Sequence, residues 1–216
     1  MLTGLQQRVA RIVTDLPEAR GFVLAGGAAL LVHGLTDRPT NDLDFFTTTP
    51  ADVAALRSAL EAALVQAGLA FRVERATETF VRLSVTDGTQ RTLVDLAWDA
   101  RLRPPVATAL GPVLHQEELA ADKVLALFGR AEPRDFLDVY RLAQRLGMDR
   151  LLHLAQEKDA GFSPKHLAES LGRINRLDRA DFGLDDATYR ALRRWVTRTQ
   201  QALEGRQPPE PPGLGL

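Results

Sequence analysis

Two aspartates one residue apart, Asp42 and Asp44, run into Phe45 and Phe46 in the stretch DLDFF. In a strand, successive side chains alternate faces, so both carboxylates project from one side. Two ionised carboxylates that close repel, and one takes up a proton unless positive charge compensates. A divalent cation is the usual compensation. Two hard oxygen ligands suit Mg2+, which takes one or two carboxylates together with substrate phosphates and water. For an isolated D-x-D the plain alternative is a solvent-facing strand end or an Asx turn.

This D-x-D has company. Gly26 and Gly27 follow the apolar run GFVLA and open a helical pattern. Backbone N–H groups at a helix N-terminus, unshielded by side chains, favour phosphate. Glycines that hold a triphosphate and aspartates that hold its metal would form one device. A third carboxylate, Asp95, lies in the apolar run TLVDLAW. A charge there is costly unless it is paired or bound to metal. If the two strands are neighbours, Asp95 joins Asp42 and Asp44 in a three-carboxylate cluster. A salt bridge to a nearby arginine is the alternative.

Further along, Lys123 is one of only 3 lysines against 24 arginines. Inside a helix, its ammonium can neutralise triphosphate charge as pyrophosphate leaves; a surface i, i+4 pair is the plain reading. Asp135 and Asp138 are three apart and share a helix face. Early acidic residues there also suit the helix dipole. Near the C-terminus Arg190, Arg194 and Arg198 recur every four residues, a basic stripe fit for RNA phosphates or simply a solvated face.

The elements that must position these groups follow from pattern. Residues 3–16 read as a helix with Leu5, Val9, Ile12 and Val13 on one face. Strands are expected at 21–25, 42–46, 71–76, 79–88 and 90–99, with Asp87-Gly88 as a hairpin turn. Helices are expected at 27–34 and 50–66, the second with Pro50 at its start and Gly68 past its end. After the Pro-containing stretch 101–112 everything reads helical: 116–129, 134–147, 149–158, 164–173 and 186–204. The fold class is therefore α+β, a mixed sheet of about five strands with flanking helices, followed by a C-terminal helical bundle. The expected domains are 1–112 and 113–205, with 206–216 a Pro/Gly-rich disordered tail.

Composition sets the outer bounds. The chain has 216 residues, 45% hydrophobic and 25% charged, as in a globular protein. A net charge of −1 excludes a strongly basic protein that coats nucleic acid, but not a local basic patch. With no cysteine there is no disulfide, thiolate metal site or cysteine nucleophile. No apolar run nears the ~20 residues of a membrane span. The N-terminus reads as an amphipathic helix, not a signal peptide. A cytoplasmic setting is expected.

Gly26-Gly27 followed by Arg38-x-Thr40-x-Asp42-x-Asp44 resembles the signature of the DNA polymerase β-like nucleotidyltransferase superfamily. Together with LAADKVLALFGRAEPRDFLDVYRL (119–142), it resembles the AbiEii/MenT group of nucleotidyltransferase toxins of bacterial toxin–antitoxin systems. The likeness spans roughly residues 20–145. It implies a polymerase-β-like palm (1–112) and Mg2+-dependent transfer of NMP from an NTP, often a pyrimidine nucleotide, to the 3′ end of tRNA, which blocks translation. It also implies a cognate antitoxin. On this reading Asp42 and Asp44 bind metal with Asp95 assisting at the acceptor hydroxyl. Gly26, Gly27, Arg38 and Thr40 cradle phosphates, and Lys123 and Asp135 complete the pocket. Many relatives carry a basic residue soon after the glycines. Here that helix offers only Leu30, Leu31, Val32 and His33, and Arg38 takes over the charge. The rival readings are transfer to a small molecule such as an aminoglycoside, and a non-catalytic member that binds a partner.

Overall fold

The computed structural model describes residues 1–205, so the expected tail at 206–216 lies outside the described residues. The chain forms two compact units, one ending at Leu119 and the other beginning at Ala120.

In the first unit, helix α1 (Gly4–Asp15) is followed by strand β1 (Val23–Ala25), helix α2 (Gly26–Val32), strand β2 (Asp42–Thr47) and helix α3 (Pro50–Gln66). Strands β3 (Ala70–Ala76), β4 (Phe80–Thr86), β5 (Arg91–Trp98), β6 (Val106–Thr108) and β7 (Gly111–Val113) complete it. Among the described residues these make one seven-stranded sheet in the order β3-β4-β5-β2-β1-β7-β6. The sheet is mixed: β2 runs parallel to β5 and antiparallel to β1, and β1 runs parallel to β7.

The five expected strands are β1 to β5. The two extra strands fall in and at the end of the Pro-containing stretch 101–112, where no element is expected from pattern. Each is three residues long, too short to show alternation. Thr108 pairs with Gly111 across the turn, and Gly111 has φ +93°, a conformation open to glycine. Proline is tolerated here because β7 is only three residues long and Pro112 needs no ladder donor.

Burial fixes the register of the site strands. In β2, Leu43 and Phe45 are 0% and 1% exposed, while Asp42, Asp44 and Phe46 are only half-buried. Full burial of each such apolar side chain is worth about 1.5–3 kcal/mol. A slip of one residue would turn both inward-facing side chains out and both aspartates in. Val81, Leu83 and Val85 of β4 and Val94 and Leu96 of β5 are buried in the same way. Helices α1 and α3 contribute Leu5, Val9, Val13, Val53, Leu56, Leu60 and Leu64 to this core. Ile12, expected on the inner face of α1, is half-buried, and Gln6 takes an inner place.

The second unit is helical: the rest of α4 (Gln116–Gly129), then α5 (Pro133–Leu146), α6 (Met148–Lys158), α7 (Pro164–Gly172) and α8 (Asp186–Glu204). Helix α8 is capped by Asp185, whose Oδ1 accepts from the N–H groups of Ala187 and Thr188 at 2.9 and 3.0 Å. Among the described residues no helix is long and apolar enough to cross a membrane.

Candidate active site

Strand β2 lies between β1 and β5, so its carboxylate face has a neighbour on each side. On one side Ala25 stands opposite Asp44, and the chain turns at once into α2. Gly26 makes that turn with φ +60°. A Cβ built on Gly26 would stand 1.7 Å from Oδ2 of Asp44, and one on Gly27 would stand 2.7 Å from Oγ1 of Thr40. Both glycines are therefore required by close approach, and Gly26 also by its backbone. The first turn of α2 receives no side-chain cap.

The loop before β2 is pinned from below. Gln6 is 2% exposed and donates from Nε2 to the carbonyl of Thr40 at 2.8 Å. Thr40 in turn donates from Oγ1 to Oδ1 of Asp42 at 2.5 Å, which ties the loop to the carboxylate. The Arg38 guanidinium donates to the carbonyl of Pro39 at 3.2 Å, and one of its Nη atoms lies 3.4 Å from where a Gly27 Cβ would be. Gly26, Gly27, Arg38, Thr40, Asp42 and Asp44 thus form one cluster.

On the other side, β5 runs in register with β2 so that Asp44 stands opposite Asp95 and Asp42 opposite Leu93. Asp44 and Asp95 are thus cross-strand neighbours. Their availability is different. Arg82 of β4 stands opposite Asp95 and grips it with both arms of its guanidinium, Nε to Oδ1 at 2.7 Å and Nη2 to Oδ2 at 2.5 Å. The hydrogen-bonded Asp95 carboxylate holds the Arg82 guanidinium above its ordinary range, and the charges of Asp44 and Asp42 add to the effect. Among the described residues no three carboxylate or imidazole groups form a common metal-ligand set. Asp42 and Asp44 fit a divalent cation as two hard oxygen donors on one face. Asp95 is held by its arginine.

Arg82 was invisible as a site residue in the sequence, although the signal existed. It alternates with Val81 and Leu83, so it had to emerge on the face opposite the core. Its loss would leave Asp95, 4% exposed, without this partner. We expect Arg82→Gln to cost about 1–3 kcal/mol, toward the lower end because the arginine side chain is 40% exposed. Thermal unfolding of Arg82→Gln, Asp95→Asn and the double variant checks this. Strictly additive losses would mean that the pair does not couple.

In the second unit the singled-out lysine is buried. Lys123 is 7% exposed and its Nζ lies 3.1 Å from Oδ2 of Asp138, which is 1% exposed. Asp135, expected beside Lys123 in the pocket, is engaged elsewhere. Its carboxylate accepts from Nε and Nη2 of Arg130, both at 2.8 Å, and from the N–H of Glu132 at 3.0 Å. It closes the N-terminus of α5. Asp138, one turn along, is the acidic partner of the lysine. Asp122, next to Lys123, pairs with Lys158. Arg190, Arg194 and Arg198 are all exposed along α8. His33 is tied to the carbonyl of Leu114 at 2.9 Å through Nε2, as a packing histidine would be.

Among curated proteins none matches the chain significantly. Solved structures match along nearly the whole chain. JHP933 from Helicobacter pylori is similar with a TM-score of 0.58 and 19% identity, over 94% of this chain and 95% of that one. A putative nucleotidyltransferase from H. pylori gives 0.56 and 21%, over 93% of each chain. MenT4, a nucleotidyltransferase toxin from Mycobacterium tuberculosis H37Rv, gives 0.56 and 16%, over 94% of this chain and 82% of that one. These likenesses show a shared fold. The family model described as nucleotidyl transferase AbiEii toxin of type IV toxin–antitoxin systems matches residues 9–209, a span that takes in the glycine pair, all three aspartates and the Lys123–Asp138 pair. The chain belongs to the AbiEii family of nucleotidyltransferase toxins.

Proposed function

We propose that this nucleotidyltransferase moves an NMP, preferentially a pyrimidine nucleotide, from an NTP to the 3′ end of tRNA in the cytoplasm and so blocks translation. Membership of the family implies a nucleotide substrate and an antitoxin partner. The observation that carries the site assignment is the packing of Gly26 onto Asp44, which puts bare backbone N–H groups beside a two-carboxylate face.

Asp42 and Asp44 hold Mg2+, and Thr40 fixes the orientation of Asp42 through its hydroxyl. Bound there, the cation supplies Lewis-acid charge to the triphosphate. The amides of Gly26 and Gly27 and the Arg38 guanidinium receive phosphate oxygens. Within the helical unit Asp138 holds the Lys123 ammonium in place. Asp135 secures the start of α5. The 3′-hydroxyl oxygen forms a bond to the α-phosphorus while the bond to the bridging oxygen breaks. Pyrophosphate leaves with the electron pair and the hydroxyl proton is lost to solvent, with the Asp95 carboxylate, fixed by Arg82, assisting at the acceptor hydroxyl electrostatically.

The test is direct. Wild-type protein and Asp44→Ala are incubated with total tRNA, Mg2+ and each labelled NTP in turn, with and without chelator. The expected result is label on tRNA from the wild type alone, lost with the chelator, and strongest with CTP or UTP. Label on an aminoglycoside but never on RNA would replace the acceptor. Transfer by Asp44→Ala at the wild-type rate would overturn the site.

A further inference from the structure

The second unit carries a feature that nucleotide chemistry does not use. Tyr140 of α5 and Trp195 of α8 meet with ring centroids 5.4 Å apart and planes tilted by 56°. Both are only half-buried. They form the wall of a shallow cavity of about 270 Å3, with Gln144, Ala191, Arg194 and Arg198 as its other lining residues. A cavity this size is just below the about 300–1,000 Å3 that drug-sized ligands take, and suits one flat ring system.

The α8 side of it carries one sign of charge. Between Asp186 and Glu204 helix α8 holds Arg190, Arg193, Arg194 and Arg198 and no carboxylate. The two arginines at the cavity are both exposed, one turn apart, and stand at its rim rather than in the core. Ala191 adds only a methyl group to the lining, and the Gln144 amide offers both a donor and an acceptor. An aromatic wall, an amide for a base edge and two guanidinium groups for phosphates are the three parts of a single-strand nucleic-acid subsite.

We propose that Tyr140, Trp195, Arg194, Arg198 and Gln144 form a subsite for one unstacked nucleobase of the RNA acceptor and its flanking phosphates. This rests on the reading that the acceptor is RNA, and adds where a base of that RNA is held. The base stacks on the exposed face of Trp195, Gln144 bonds its edge, and Arg194 and Arg198 bind the phosphates on either side. One tRNA nucleotide in a loop or at an end, already out of the helical stack, is the natural occupant.

Two tryptophans occur in the chain, Trp98 and Trp195, so Trp98→Phe makes Trp195 the single reporter. Trp98 is 50% exposed at the end of β5 and belongs to neither site. This variant is titrated with a short oligoadenylate, with total tRNA and with polyglutamate, reading Trp195 emission together with anisotropy of the labelled polymer. Stacking quenches Trp195 with both nucleic acids and not with polyglutamate. In the same background, Arg194→Gln/Arg198→Gln should weaken binding at least about tenfold. It should also flatten the slope of log affinity against log salt by about 1.4, two contacts at about 0.7 each for a single strand. Tyr140→Ala should weaken binding about tenfold, because it removes the ring that braces Trp195, the platform on which the base stacks.

Nucleic acid that binds by anisotropy while Trp195 emission stays unchanged overturns the subsite and leaves the RNA acceptor standing. Equal binding by the arginine variant does the same. If neither nucleic acid binds at all while nucleotidyl transfer to another acceptor persists, the RNA reading falls and the subsite with it. Equal quenching by polyglutamate shows an acidic-polymer surface and also overturns the proposal.

Discussion

Asp44→Ala is expected to lower nucleotidyl transfer on the order of a thousandfold while leaving the protein folded. A carboxylate that holds a catalytic cation contributes several kcal/mol to the transition state, and each ~1.4 kcal/mol is a factor of ten in rate. The structural cost is small, because Asp44 is half-buried and shares its face with a second carboxylate, Asp42. Removing one of two like charges relieves repulsion. The melting temperature should therefore stay within about 2 °C of the wild type. Gly26→Ala tests the same corner by another route. It leaves every carboxylate in the sequence but drives a methyl group to 1.7 Å from Oδ2 of Asp44 at a backbone φ of +60°. Left-handed backbone costs a non-glycine residue about 1–2 kcal/mol, so here activity and stability fall together. Single-turnover rates and thermal unfolding of the two variants separate the cases. Loss of transfer in Asp44→Ala only through unfolding would remove the aspartate from the chemistry. A fully active Gly26→Ala would show that the glycine turn can yield.

What the sequence made legible was set by period and local chemistry. The alternation of Leu43 and Phe45 with Asp42 and Asp44 placed both carboxylates on one face without any knowledge of the sheet. The helix start at Pro50 was legible because proline suits a first turn. The partner of Asp95 was not, since a cross-strand pair depends on which strands are neighbours and in what register. Both alternatives for Asp95, a carboxylate cluster and an arginine, depended on the same neighbouring strands. The strand order sets β2 with Asp44 on one side of Asp95 and β4 with Arg82 on the other, and it is the arginine that bonds the carboxylate. The hairpin of β6 and β7 was hidden by strands too short to show a pattern. Asp135 and Asp138 could not be ranked by spacing alone, because both lie on one face of α5. The local sequence held one clue: an acidic residue at the third helical position after Glu132 is placed to close the helix start, which is what Asp135 does. In the C-terminal helix the four-residue recurrence of Arg190, Arg194 and Arg198 was legible, whereas the meeting of Trp195 with Tyr140 of another helix was not, because it depends on tertiary packing.

The Lys123–Asp138 pair carries the second large effect, and it separates folding from chemistry. With the lysine side chain 9% exposed and the aspartate side chain 0%, both charges are withdrawn from water. Breaking such a pair from one side strands the other charge, at about 3–5 kcal/mol. For a chain of this size that is a fall in melting temperature of about 6–20 °C. Lys123→Met should show it, and Asp138→Leu should show a similar loss, since each abandons one buried partner. The double variant Lys123→Met/Asp138→Leu removes both charges, and apolar replacement of a whole buried pair is often neutral or better. It should regain most of the stability lost by either single change. If Lys123 serves only the fold, nucleotidyl transfer should return with the stability. If its ammonium meets the triphosphate, the double variant stays folded and inactive, with NTP binding weakened as well. A melting temperature that falls additively in the double variant would show that the two residues do not depend on each other. Full activity in any folded variant lacking Lys123 would confine that lysine to holding the helices together, and the charge that balances the leaving pyrophosphate would have to come from Arg38 and the metal at Asp42 and Asp44.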